Sequence, residues 1–156
     1  MKVAVLGSNG QLGSDVCAAF VRNGDEVTRL THSDLEVSSA ASVNEALSAR
    51  NPQLIVNTAA MHHVEKCEAD PMAAFTANGI GAKNVAEWAG RAYATVLYVS
   101  TDYVFDSLKG EPYSETDVPA PLSAYGITKL AGEHFTAAIA PKHFVLRTSA
   151  IYGHHP

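Results

Sequence analysis

Short apolar runs alternate with longer amphipathic stretches along this chain of 156 residues. The short runs predict five strands: Lys2–Leu6, Glu26–Leu30, Leu54–Asn57, Thr95–Ser100 and His143–Arg147. The longer stretches predict four helices: Gln11–Arg22, Ala41–Ala49, Pro71–Ala92 and Pro121–Ala140. Proline suits a first helical turn, as at the start of the last two helices. This alternation predicts an α/β protein with a doubly wound parallel sheet and helices on both faces.

The overall composition is ordinary and argues against several classes of protein. The formal net charge is −5, and the basic residues are dispersed, which argues against a nucleic-acid partner. No apolar run approaches the roughly 20 residues that a membrane-spanning helix needs, so we expect no membrane attachment. Cys17 and Cys67 have no disulfide or metal spacing. We therefore expect reduced thiols in a cytoplasmic protein of one domain.

A glycine-rich loop follows the first predicted strand and opens the first predicted helix. Its sequence is Gly7-Ser8-Asn9-Gly10-Gln11-Leu12-Gly13. Glycines permit a tight turn and a close approach of the backbone, and the helix N-terminus offers amides to a pyrophosphate. The alternative is a glycine turn that binds nothing. Because the loop lies between a strand and a helix, it predicts dinucleotide binding on a Rossmann-type sheet.

The end of the second predicted strand bears on the choice of cofactor. An acidic residue there usually binds a ribose 2′-hydroxyl and favours NAD. Here the strand end, Arg29-Leu30-Thr31-His32-Ser33, holds no carboxylate before Asp34, whereas it includes two potential cations, Arg29 and His32. This pattern favours NADP(H), or the use of both NADP(H) and NAD(H). The alternative is that Arg29 simply faces solvent and has no role in binding.

The third and fourth predicted strands also end in informative residues. The third ends in Asn57-Thr58-Ala59-Ala60, where small side chains would let a flat cofactor approach the backbone. The fourth ends in Ser100-Thr101-Asp102-Tyr103-Val104, which places a hydroxyl at the carboxyl end of a central strand. Ligands of doubly wound sheets bind at these ends. A Ser/Thr turn that merely ends the strand is the alternative.

Tyr125 and Lys129 lie four residues apart on the last predicted helix and therefore share a face. A phenol titrates near pH 10, so at pH 7 it is about three units too weak an acid. A cation beside it would correct this with roughly 4 kcal/mol of differential stabilisation. The pair is a candidate proton donor, and ordinary packing is the alternative. Gly126 and Gly132 on the same helix indicate close approach by a ligand or by other backbone, or simply close packing of the helix on the sheet.

Two adjacent histidine pairs, His62-His63 and His154-His155, are tempting as metal ligands. Neighbours in sequence do not share a helix or strand face, and no metal-site spacing accompanies them. We therefore predict no metal site.

Taken in order, these motifs resemble the extended short-chain dehydrogenase/reductase family, and within it the dTDP-4-dehydrorhamnose reductases. The matching segments are GSNGQLG from Gly7, LEV from Leu35, NTAA from Asn57, VEKCE from Val64, AN from Ala77, STDYVFD from Ser100, YGITKLAGE from Tyr125 and LRTSAIYG from Leu146. Three residues depart from the family pattern: Met61 replaces a frequent aromatic, Ser107 replaces a glycine, and His32 lies near the position that reads the 2′-hydroxyl.

The resemblance implies a reduction of a nucleotide-linked 4-keto-6-deoxy sugar by hydride from NAD(P)H. Tyr125 would protonate the C4 carbonyl oxygen, Lys129 would lower the phenol pKa and hold the nicotinamide ribose, and Thr101 would bind the same oxygen. The implied cofactor-binding residues are Gly7, Asn9, Gly10, Gln11, Leu12, Gly13, His32, Glu36, Val37, Ala59, Ala60 and Ser100, with Tyr125 and Lys129. The implied substrate-binding residues are Thr101, Asp102, Tyr103 and Val104.

The resemblance also bears on domain organisation. Members of the family continue for about as many residues again and form a smaller substrate-binding domain. We expect residues 1–156 to be the NAD(P)-binding domain with the catalytic residues, inactive alone, in either a fragment or a naturally short relative. Two other functions stay open: a nucleotide-sugar epimerase or dehydratase, and a non-catalytic regulatory subunit like methionine adenosyltransferase subunit beta. Formation of a homodimer is also open.

Overall fold

Five parallel strands form a single sheet in the computed structural model, which describes residues 1–153. The strands are β1 Lys2–Leu6, β2 Glu26–Leu30, β3 Leu54–Asn57, β4 Thr95–Val99 and β5 His143–Leu146. Their order across the sheet is β2-β1-β3-β4-β5. The chain therefore reverses its direction across the sheet between β1 and β3, the point where ligands of such sheets bind. The predicted doubly wound α/β fold is confirmed.

Six α-helices connect the strands of the described chain. They are α1 Gln11–Arg22, α2 Ala40–Ser48, α3 Val64–Ala69, α4 Pro71–Phe75, α5 Gly81–Ala92 and α6 Ala124–Ile139. A π-helical turn, Thr76–Ile80, joins α4 to α5, and a 3-10 turn, Asp102–Val104, follows β4. None of the described helices is both long and apolar enough to cross a bilayer.

Most predicted bounds agree with the structure, and the differences have local causes. The long helix predicted from Pro71 to Ala92 is present but is widened in the middle by the π-helical turn. Helix α3 was not predicted. The predicted helix start at Pro121 is wrong, because Ser123 caps α6 by accepting a hydrogen bond from the Gly126 amide at 3.1 Å.

Both faces of the sheet are buried at its central strands β1 and β3, as the apolar runs predicted, whereas Phe144 and Leu146 of the edge strand β5 are exposed. Residues of β1 alternate between two clusters: Val3 and Val5 pack with Cys17 of α1, whereas Ala4 and Leu6 face the opposite layer. That layer includes residues of α2 and α5, among them Val43, Leu47, Val85 and Ala89. The two layers leave the carboxyl edge of the strands as the place for a site.

Candidate active site

A groove made of two adjoining cavities runs along the carboxyl edge of the sheet. The first has a volume of about 410 Å³ and lies between the ends of β1, β2 and β3. The second, of about 720 Å³, extends from the glycine loop to the end of β4 and to α6. Both are lined by Gly7, Gly10, Thr58, Ala60 and His62. The chain therefore offers one elongated surface rather than two separate sites.

The glycine loop forms the shared wall of this groove. Gly7 has φ +74°, a conformation that favours glycine, and its amide donates to the Leu30 carbonyl at 2.9 Å. A Cβ on Gly13 would overlap the Gly7 carbonyl, so α1 can pack against the turn only with glycine there. Gly10 precedes α1, whose N-terminus has neither a side-chain cap nor an acidic residue in the first turn. This arrangement fits a dinucleotide, whose pyrophosphate would bind the open helix N-terminus.

The first cavity contains the residues expected near an adenine and its ribose. Asn9, Val37, Ala59 and Ala60 all line it, together with His32 and Glu36. His32 Nδ1 lies 3.2 Å from Glu36 Oε2. Hydrogen bonds from the Ser38 amide and hydroxyl, with a smaller effect of His32, lower the pKa of Glu36. A carboxylate and an imidazole thus lie side by side at the ribose end.

Thr101 and Tyr125 meet in the second cavity, as predicted from the two motifs. Thr101 directly follows β4 and accepts a hydrogen bond from the Tyr103 amide at 3.2 Å. Burial raises the pKa of the Tyr125 phenol above its usual range, and a hydrogen bond with Thr101 opposes this in part. The phenol is therefore protonated at neutral pH, the form that a proton donor requires.

Lys129 lines the same cavity but does not contact the phenol in the way that the spacing suggested. Its Nζ donates to the Val99 carbonyl at 2.6 Å and lies 4.1 Å from the centre of the Tyr98 ring. Burial lowers the pKa of Lys129 to about 7, against an opposing effect of Glu133. The expected lowering of the Tyr125 pKa by Lys129 is not found in this structure, because the ammonium is directed at β4.

The glycines of α6 have a structural explanation. A Cβ on Gly126 would overlap the Tyr103 carbonyl, and one on Gly132 would overlap the Tyr98 hydroxyl. Both glycines therefore allow α6 to pack closely against the end of β4 and the 3-10 turn. Of the reasons that the sequence left open, close approach of backbone applies to Gly126 and close helix–sheet packing applies to Gly132.

Three of the four expected substrate-binding residues lie in the second cavity: Thr101, Asp102 and Tyr103. Tyr103 is half exposed, and its ring meets the Tyr125 ring edge-on, with 5.7 Å between centroids. Val104 is a correction, because the 3-10 turn directs it inward, where it is fully buried and lines neither cavity. It is therefore too deep to contact a sugar.

Sequence reasoning assigned no role to several residues of the groove. Thr58 anchors the glycine loop by donating to the Leu6 carbonyl at 2.6 Å. His62 lines both cavities, and residues 148–151, which follow β5, line the second. Because Thr58 directly follows β3 and residues 148–151 lie just beyond the end of β5, the rule that ligands bind at carboxyl ends would have found them.

A buried ionic network next to Lys129 was also missed. Glu133 Oε1 accepts a hydrogen bond from the Ser100 hydroxyl at 2.5 Å. The Arg147 guanidinium donates to both carboxylate oxygens of Glu133, with a shortest distance of 2.6 Å. Ser100 was expected to bind the cofactor; it lines the second cavity, but its hydroxyl is engaged by Glu133.

The three departures from the family pattern have distinct surroundings. Ser107 has φ +60°, the left-handed region that favours the glycine of the family. Met61 lines the first cavity, and its amide and carbonyl are both bound by the Asn78 side chain, at 2.8 and 3.0 Å. His32 lines the first cavity.

Metal ligation receives no support from the described part of the chain. Among residues 1–153, no group of three or more His, Cys, Asp or Glu side chains is arranged to hold a metal ion. The rings of His62 and His63 lie 4.3 Å apart, centroid to centroid. His154 and His155 lie outside the described residues.

This fold and this groove define a Rossmann-type domain of the extended short-chain dehydrogenase/reductase superfamily. The chain belongs to the RmlD substrate binding domain family, whose model matches residues 1–156. A dTDP-4-dehydrorhamnose reductase from Aggregatibacter actinomycetemcomitans is 36% identical over 155 residues. These residues are 99% of this chain but 53% of that relative.

Solved structures agree with this assignment. A dTDP-4-dehydrorhamnose reductase from Clostridium acetobutylicum matches with a TM-score of 0.96 and 38% identity. Another from Bacillus anthracis, in complex with NADP, matches with a TM-score of 0.96 and 32% identity. Each match covers 100% of this chain and 56% of the other chain. The chain therefore spans about half the length of the relatives that it matches.

Proposed function

We propose that the protein is a dTDP-4-dehydrorhamnose reductase that reduces a nucleotide-linked 4-keto-6-deoxy sugar in dTDP-L-rhamnose biosynthesis. One observation carries the proposal: Thr101, Tyr125 and Lys129 line the cavity that continues into the glycine loop. Residues 1–156 would be the NAD(P)-binding domain of this cytoplasmic enzyme. The names of its relatives favour a reductase over an epimerase, a dehydratase or a regulatory subunit.

Each residue at the catalytic end of the groove has a separate role in the proposed reaction. A bound reduced nicotinamide would supply hydride to the carbonyl carbon of the sugar. Tyr125 donates its phenolic proton to the carbonyl oxygen, and the Thr101 hydroxyl donates a hydrogen bond to the same oxygen, where negative charge develops. Lys129 supplies positive charge to this end of the groove and positions the nicotinamide ribose. Asp102 and Tyr103 contact the sugar.

For the cofactor we propose NADPH, with weaker use of NADH. His32 lies in the ribose end of the groove and, when protonated, can pair with a 2′-phosphate. Its neighbour Glu36 can accept a hydrogen bond from a 2′-hydroxyl instead. The relative from Bacillus anthracis was crystallised with NADP, which supports the phosphorylated cofactor.

Two glycines of the loop should respond differently to alanine if the loop binds a pyrophosphate. A Cβ on Gly10 would meet one protein atom, the Gly7 carbonyl at 3.4 Å, and Gly10 has φ −76°. Gly10→Ala should therefore fold normally but lower the affinity for NADPH at least about tenfold, since the methyl group occupies the phosphate approach. Gly13→Ala should lower the free energy of unfolding by about 2 kcal/mol or more, because its methyl group overlaps the Gly7 carbonyl.

Calorimetric titration with NADPH and denaturant unfolding of both variants measure these effects. Gly24→Ala is the control for the measurement of NADPH affinity, because Gly24 lies outside the groove, at a left-handed position with open space around it. Unchanged NADPH affinity of a well-folded Gly10→Ala variant would remove the loop from the proposed binding site.

The function itself is tested with the full-length protein, NADPH or NADH, and dTDP-4-keto-6-deoxy-L-mannose. The proposal predicts loss of nicotinamide absorbance that depends on the sugar and is faster with NADPH. A sugar that changes while the cofactor returns unoxidised would point to an epimerase or dehydratase. A stoichiometric protein partner, with no turnover of any keto sugar, would point to a regulatory subunit.

A further inference from the structure

Glu133 is a buried charge that the proposed reaction does not use. Its side chain is 6% exposed, in a protein interior where an isolated carboxylate is strongly unfavourable. Arg147, which follows β5, and Ser100, which follows β4, both donate to it. The carboxylate therefore joins α6 to the ends of both strands that border the catalytic end of the groove.

Glu133 also shares a helix face with Lys129, one turn earlier on α6. Lys129 donates a hydrogen bond to the Val99 carbonyl, and Glu133 accepts one from the hydroxyl of the next residue, Ser100. The two side chains therefore bind consecutive residues at the end of β4, immediately before Thr101. Lys129 is 3% exposed, and neither hydrogen bonding nor ion pairing between its Nζ and Glu133 is present among the described contacts. Any influence of Glu133 on the ammonium is therefore exerted through space.

We propose that Glu133 is a positioning residue that keeps Lys129 charged and in place at the catalytic end of the groove. The catalytic purpose of this arrangement rests on the proposed function, but the electrostatic effect of Glu133 on Lys129 does not depend on any substrate. Removing the carboxylate would leave the partly exposed Arg147 guanidinium without its anionic partner, while the Lys129 ammonium stays buried on the same side of α6 as the lost charge. Like charges in a poorly solvated interior disfavour each other, and Lys129 is the one that can lose its proton.

The groups that face Lys129 are few enough to interpret a titration. The Tyr98 ring lies against the ammonium from β4, and Tyr125 and Glu133 lie on α6 itself. Arg147 pairs with Glu133 from the end of β5. Asp102 lines the same cavity as Lys129. Glu133 is thus the carboxylate whose removal should be felt most directly by Lys129.

Two roles of Glu133 predict opposite results in an NMR titration of the Lys129 side chain in the protein. If the carboxylate keeps Lys129 charged, Glu133→Gln moves the Lys129 midpoint to lower pH by about one pH unit. If Glu133 only connects α6 to the ends of β4 and β5, its loss admits water to the site. The Lys129 midpoint then moves upward, toward the ordinary lysine value. An unchanged or raised midpoint in Glu133→Gln therefore overturns the proposal. The Lys129 signal is assigned by its loss in Lys129→Arg.

Arg147→Met and the double variant complete the test. Arg147→Met should raise the Lys129 midpoint, because it removes the cation that competes with the ammonium for Glu133. Adding Glu133→Gln to Arg147→Met should lower the midpoint again, and equal midpoints in these two variants would also overturn the proposal. This comparison remains valid if Glu133→Gln alone fails to fold, since removing both charges of a buried pair is usually tolerated.

Glu87→Gln on α5 is the matched control, because Glu87 is partly exposed and pairs with Lys83. It should leave the Lys129 midpoint unchanged, and a shift as large as that of Glu133→Gln would contradict a specific role. The titration needs neither cofactor nor sugar. A protein that reduces no keto sugar would therefore refute the proposed function without affecting this result. Conversely, a Lys129 midpoint that does not change in Glu133→Gln would refute the role of Glu133 and leave the proposed reductase function unaffected.

Discussion

Tyr125→Phe is expected to lower kcat for the keto sugar by about 10²–10⁴-fold, the range typical of a lost general acid. The phenol is the protonated group that lies beside Thr101 at the catalytic end of the groove. Phe keeps the ring and its edge-on contact with Tyr103, so the packing of α6 should be preserved. Affinity for NADPH should change less than about threefold, because the variant loses only a hydroxyl at the far end of the cofactor.

Steady-state kinetics and calorimetric NADPH titration measure the two effects separately. Tyr113→Phe is the matched control, since Tyr113 stacks on Phe105 and donates to Asp106 but lines neither cavity. Its rate should stay near that of the unchanged protein. A Tyr125→Phe variant of undiminished rate would exclude Tyr125 as the proton donor.

Lys129→Met is expected to remove activity and yet stabilise the protein at or below neutral pH. Burial lowers the pKa of Lys129 from 10.5 to about 7, so the folded state holds the lysine proton less tightly than the unfolded state. At pH values below 7 this costs roughly 5 kcal/mol of folding free energy. Loss of the hydrogen bond to the Val99 carbonyl offsets about 1–3 kcal/mol of the gain from the substitution.

The sign of the effect can be followed with pH. Between pH 7 and 10.5 the unfolded chain binds the lysine proton and the folded chain does not, so the stability of the unchanged protein rises with pH. The advantage of Lys129→Met should be about 2 kcal/mol or more below pH 7 and should vanish toward pH 10.5. Denaturant unfolding at several pH values measures it, with Lys83→Met, at a partly exposed lysine, as the control. Equal destabilisation by Lys129→Met at every pH would show that burial of the Lys129 charge does not destabilise the folded protein.

Much of the fold and of the groove could be predicted from local patterns. The bounds of β1, β2, β3 and α1 agree residue for residue with the prediction, because apolar runs and a glycine loop define them without distant contacts. The rule that ligands bind at the carboxyl ends of parallel strands then identified most of the groove. Thr101 and Tyr125, 24 positions apart in sequence (125 minus 101), do meet in one cavity.

The parts that were not predicted depend on contacts between distant residues. Periodicity cannot show that Lys129 is directed at the Val99 carbonyl, since a shared helix face says nothing about where a flexible side chain ends. The pairing of Glu133 with Arg147 crosses from α6 to β5 and has no local pattern. Pro121 suited a helix start by residue type, but the side chain of Ser123 decides where α6 begins.

The most direct test of the central claim follows a labelled hydride. Full-length protein is incubated with NADPH deuterated at the transferred position of the nicotinamide and with dTDP-4-keto-6-deoxy-L-mannose, and the sugar product is analysed by mass spectrometry. The account predicts one deuterium at C4 of the sugar for each NADPH oxidised, and formation of the labelled sugar at least about 10²-fold slower with Tyr125→Phe. A product without deuterium, or NADPH that remains reduced while the sugar changes, would contradict it.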